Sequence, residues 1–190
     1  MSLLAFCEWL AATGNSTALR ESLFMYPLLE SSHVLFLMLF VGLTVILDVR
    51  LLGLAFTRVP VSDVVDRILP WVRSGFAIMV FTGVLLFYAI PVRTYQSVWF
   101  RAKMIMLVLA AINIAYFHYR VYPQKDAWDT DARLPWKVRR AGLASLILWG
   151  GIIVAGRFIA YNWFDCDIQP QSAFVNWFAG CVVPSEPLNP

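Results

Sequence analysis

LLESSHVLFLMLFVGLTVIL, residues 28–47, decides the fold. From Val34 to Leu47 only Thr44 carries a polar side chain, so a helix over this run has no polar face to turn toward water. A hydrocarbon layer of about 30 Å takes roughly 20 apolar residues at about 1.5 Å each. The run meets that length, and so do residues 71–90, 102–119 and 141–164. A soluble bundle is excluded by stretches such as Ile78 to Tyr88, apolar on every side apart from Thr82. With 60% hydrophobic and 14% charged residues, the chain reads as an all-α integral membrane protein. It is a four-transmembrane-helix bundle, one membrane domain over 1–190, whose first partner is the lipid bilayer.

Basic residues set the expected orientation. Arg50, Arg58, Arg67 and Arg73 fall between the first two helices, and Arg120, Lys125, Arg133, Lys137, Arg139 and Arg140 between the last two. Those ten of fifteen Lys and Arg residues share one side, which the positive-inside rule makes cytoplasmic. The expected place is a bacterial inner membrane, multi-pass, with both termini periplasmic. No basic segment followed by an early apolar core and cleavage site opens the chain, so no removable leader is expected. The net charge of +3 reports topology and does not point to nucleic acid.

The outward caps, 1–27 and 165–190, carry structure of their own. Ser2 to Ala12 reads as an interfacial helix, and Asn15, Ser16 and Thr17 offer caps for a second stretch. In an oxidising compartment Cys166 and Cys181 are spaced to form a disulfide; metal binding by the same two thiols is the alternative. Pro70 is expected in the first turn of the second helix. Trp71, Trp99, Tyr119, Tyr122, Trp136, Tyr161 and Trp163 fall at the interfaces as an aromatic belt.

Ionisable groups inside spanning segments are costly and mark candidate sites. At helical spacing His33, Leu37, Phe40, Thr44 and Asp48 share one stripe, with Glu30 near its outer end; Lys103, Leu107, Ala110, Ile114 and His118 share another. Arg157 lies near the outer end of the fourth helix. Glu30, His33, Lys103 and Arg157 therefore meet at the outer third of the bundle, and Asp48, Arg73 and His118 make a second polar group near the inner edge. The bland readings are a His33 hydrogen bond to Glu30 or Ser32, and Lys103 and Arg157 reaching to the interface. The chemical reading is haem: an imidazole in a dry bundle is a natural axial ligand, and cations neutralise propionates. His33 and His118 differ in depth by roughly 20 Å and cannot clasp one iron. A sixth ligand then falls to Lys103, Met104 or Met106, or the position is open.

The run WFRAKMIMLVLAAINIAYFHYRVY, residues 99–122, resembles the third helix of the HemJ-type protoporphyrinogen oxidases, with a lysine near the start and a Tyr-His pair near the end. SSHVLFLMLFVG looks like their first helix and like that of the CopD-type copper-resistance membrane proteins. The whole chain is similar to a family of uncharacterised four-helix bacterial membrane proteins in its PLLESSHVLFLML, LDVRLLGLAF and AGRFIAY stretches. The first likeness implies a b-type haem held at His33 and Lys103, though Lys103 and His118 stand one helical turn further apart here; the second implies copper handling, with only Met104 and Met106 as an entry pair.

The expected function is a haem-b-binding redox subunit passing electrons between quinone and a periplasmic or membrane partner. His33 is the iron ligand, and Glu30, Lys103, Met106, Arg157 and His118 are candidate cofactor contacts. Its rivals are a cofactor-free subunit of a larger respiratory complex and a copper-handling membrane protein. No Ser-His-Asp set, phosphate loop or zinc-ligand spacing argues for a stand-alone enzyme.

Overall fold

The computed structural model describes residues 2–161, 164, 166, 167 and 169–182. Trp163 of the expected belt and the tail beyond 182 lie outside the described residues; the fourth helix ends at Ile159, short of the expected 164.

Four helices are long and apolar enough to cross a membrane. They are α3 (Met25–Leu52), α4 (Val61–Ala89), α6 (Val98–Tyr116) and α7 (Trp136–Ile159), and no strand occurs among the described residues. Short helices close the terminal end, the one that carries the first and last described segments: α1 (Leu3–Ala11), α2 (Gly14–Glu21), α5 (Pro91–Tyr95) and α8 (Ala173–Ala179). The protein is thus a multi-pass, all-α membrane protein.

All four spans begin before the apolar runs and α3 also ends later, while α4, α6 and α7 stop at Ala89, Tyr116 and Ile159, short of the expected 90, 119 and 164. α3 continues through Asp48 and Arg50 and stops at Gly53, whose φ of 72° suits glycine. α4 starts at Val61, so Pro70 lies within the helix and not in its first turn. The start is fixed from outside: Asp129 accepts from the Ser62 amide at 2.8 Å and from the Ser62 hydroxyl, and its carbonyl accepts from the Val61 amide at 3.1 Å. Past Tyr116, α6 widens into a π turn (Phe117–Val121) and then tightens into a 3-10 turn (Tyr122–Ala127).

α3 packs along α4 and α7, and α6 along α7. The helices therefore form a folded row, α4–α3–α7–α6. Along the seam that would close the ring, α4 and α6 are not a packed pair; near its outer end the Phe87 and Phe100 rings stack at 5.7 Å. In lipid, helix association draws on close packing and small residues. Phe40 meets Trp149 edge-on at 4.6 Å in a core with Val41, Met79, Ala110 and Ile152, a ring geometry worth about 0.5–1.5 kcal/mol beyond its area. Gly142 admits the α3 backbone, since a Cβ there would stand 3.2 Å from the Asp48 carbonyl. Leu35, Met38, Phe81, Val84, Ile105, Val108 and Ile147 are exposed to the surroundings, as lipid contact requires.

At the terminal end, Ser2 caps α1 and Thr13, rather than the expected Asn15, Ser16 or Thr17, caps α2. Ser16 is instead buried, its hydroxyl donating to the Tyr88 carbonyl at 2.8 Å. Cys166 and Cys181 are joined as a disulfide, which leaves no thiolate there for a metal. Gln96 and Arg101 hold the tail: Gln96 donates to the Gly180 carbonyl, and a Cβ on Gly180 would run into the Arg101 guanidinium.

Candidate functional site

A cavity of about 630 Å³ opens at the terminal end, between α3, α4, α5, α6 and α7. Glu30 and His33 of α3, Lys103 of α6 and Arg157 of α7 all line it. They come from three helices that the sequence could only align by depth.

His33 is held by α4. Its Nδ1 lies 3.0 Å from the Thr82 hydroxyl, and not against Glu30 or Ser32. That hydroxyl has one proton and, besides the ring nitrogen, the carbonyls of Ile78 at 2.9 Å and Met79 at 3.1 Å within reach of it. With that proton on the backbone, the oxygen accepts from the imidazole, in the tautomer that carries hydrogen on Nδ1 and keeps the Nε2 lone pair. Gly83 makes the approach feasible, because a Cβ there would stand 3.2 Å from Cε1 of the ring. Gly156 does the same for Lys103, with a would-be Cβ 3.5 Å from Nζ.

The wall is cationic. Ten of the fifteen Lys and Arg residues serve the other end, leaving Arg20, Arg93, Arg101, Lys103 and Arg157. Arg20 pairs with Glu21, and Arg101 donates to the Tyr95 carbonyl and covers the Tyr95 ring at 4.7 Å. The other three line this one cavity, against a single carboxylate, Glu30. Arg157 leans on Tyr161, donating to its hydroxyl at 3.0 Å. Arg93 and Tyr26 complete the rim, and neither stands out from the sequence by helical spacing. The usable signal is the position of Arg93 itself, a basic residue in an outward connection where topology asks for none.

Two candidates lie elsewhere. Met106 is packed in the core against Gly151, where a Cβ would strike its sulfur. His118 is exposed on the π turn at the opposite end, stacked 6.4 Å from Tyr122. The second polar group does not assemble: Arg73 and His118 are exposed, while Asp48 is buried beside Ser145 of α7. No group of three or more His, Cys, Asp or Glu able to hold a metal ion occurs among the described residues.

The fold and the cavity define a class, multi-pass helical membrane proteins with a polar site set into one end of the bundle. Residues 22–162 match the sequence profile of a family of unknown function (DUF6644), and the chain belongs to that family. No curated protein and no solved structure matches it.

Proposed function

We propose that the cavity binds haem b and that the protein is a redox subunit exchanging electrons between membrane quinone and a periplasmic or membrane partner. The observation that carries this is the His33 imidazole, held at Nδ1 against the Thr82 hydroxyl, on a cavity wall with three cations. The donor set fits the group. His33 would ligate the iron, Arg93 and Arg157 would face the propionates, and Lys103 in its neutral form is the nitrogen available for the sixth position. Met106 is spent on core packing and Met104 is exposed. A cavity of about 630 Å³ lies within the range of about 300–1,000 Å³ common for small-molecule sites. Bound haem supplies a one-electron iron couple whose potential follows its ligands, burial and nearby charge. The chain's own part is to fix the imidazole tautomer, neutralise carboxylates and hold the group near the outer face. That face is taken as periplasmic because the opposite end carries ten of the fifteen basic residues.

Haem added to the purified protein should give a Soret band that His33→Ala loses, with helicity by circular dichroism unchanged. A wild-type protein that stays colourless, or a variant with the same spectrum, would sink the proposal. The rival role as a cofactor-free assembly subunit draws support from α6, which buries only Ala110 within the molecule; it predicts a stable partner and no visible absorption. The absence of a metal-ligand cluster among the described residues leaves the copper reading with His33 and Met104 alone.

A further inference from the structure

The opposite end of the molecule holds a larger open groove, about 1020 Å³, between the π and 3-10 turns after α6 and the start of α7. Its lining includes Arg120 from the π turn and Lys137 from α7 and contains no carboxylate. Both cations are exposed, and neither makes an ion pair among the described residues. The remaining wall is largely apolar and aromatic, with Tyr116, Trp128 and Trp136; Trp136 is 63% exposed, as is fitting at the level of lipid head groups. A straight α-helix would have carried Arg120 round to another bearing. The wider π turn sets it on the groove, and such turns recur at functional sites.

We propose that this groove is a binding site for an anionic phospholipid, with the phosphate between Arg120 and Lys137 and the glycerol and upper acyl chains against Tyr116 and Trp136. A water-soluble anion would make no use of the apolar wall, and a zwitterionic lipid would bring a third cation to the two already there. The end of the bundle agrees, because it carries most of the basic residues and anionic lipids gather in the cytoplasmic leaflet. The site is independent of the haem reading.

The test is native mass spectrometry of the full-length protein in neutral detergent, offered phosphatidylglycerol and phosphatidylcholine in equal amounts. Wild type should retain phosphatidylglycerol selectively. Arg120→Gln with Lys137→Gln should lower that selectivity about 30-fold. Arg58→Gln with Arg67→Gln, exposed cations at the same end, should leave it intact and shows that folding survives loss of two charges. Equal retention of the two lipids by wild type would overturn the proposal. So would an unchanged double variant, an equal fall in the control pair, or complete competition by millimolar inorganic phosphate, which would mark a free-anion site.

Discussion

On the proposed haem reading, Thr82 is the residue on which the chemistry of the cavity turns, although it would touch the cofactor only through His33. Its hydroxyl lies 2.9 Å from the Ile78 carbonyl and 3.0 Å from His33 Nδ1, so donation to the backbone would select the tautomer that leaves Nε2 for iron. Outer partners of ligating histidines are typically worth about 10–100-fold in affinity. Thr82→Val keeps the shape and deletes the acceptor, so haem affinity measured by titration of the Soret band should fall by about that factor while the fold persists; Thr82→Ser should restore it. His33, Lys103 and Arg157 are legible in the sequence because each interrupts an apolar run. Thr82 is visible there only as the lone polar residue of its stretch, since a hydroxyl is tolerated in a spanning helix by bonding back one turn. Which helix it serves depends on packing that periodicity does not encode.

At the scale of the elements, the end near Gly53 is more than a collection of positive charges. In sequence Arg50 is one cation among ten, yet in the fold it is 0% exposed. Its Nε donates to the Val59 carbonyl at 2.7 Å, and its terminal nitrogen to the carbonyls of Asp129 and Asp131 at 3.2 and 3.1 Å. One guanidinium thus ties the end of α3 to both connections at that end, which a sequence read helix by helix does not reveal. Arg50→Met would orphan those carbonyls and should destabilise by on the order of 3 kcal/mol, read as a lower midpoint of thermal unfolding in detergent. Burial alone would raise the Asp129 carboxyl, but the Ser62 hydroxyl and amide, the Lys125 charge and the Val61 amide outweigh it and hold it below the usual carboxylate range. A carboxyl with a depressed folded value stabilises the fold above its unfolded value near 4, and that contribution is lost as pH falls through the folded value. Wild type should therefore exceed Asp129→Asn in stability at pH 7, and the gap should close below about pH 4. A constant gap from pH 7 to pH 3 would show that the charged form is not what caps α4.

For the molecule as a whole, two unrelated features bear on orientation and agree. The bundle has an even number of spans, so both terminal segments lie at one end, opposite the ten basic residues between its paired helices. The same terminal end carries the Cys166–Cys181 disulfide, which persists only in an oxidising compartment. Charge acts during insertion and the disulfide after it, so neither feature dictates the other. Four spans are legible in the sequence because hydropathy at this length leaves few alternatives; the open α4–α6 seam is not, because lipid-facing and helix-facing residues are equally apolar and no period separates them. Charge and sulfur together favour the proposal that the terminal end faces outside. An alkaline phosphatase domain, which folds only where its own disulfides form, should be active when fused after Pro190 and inactive when inserted after Gly53. The reverse pattern would put the cavity on the cytoplasmic face, where the disulfide would be reduced and a periplasmic electron partner could not reach His33.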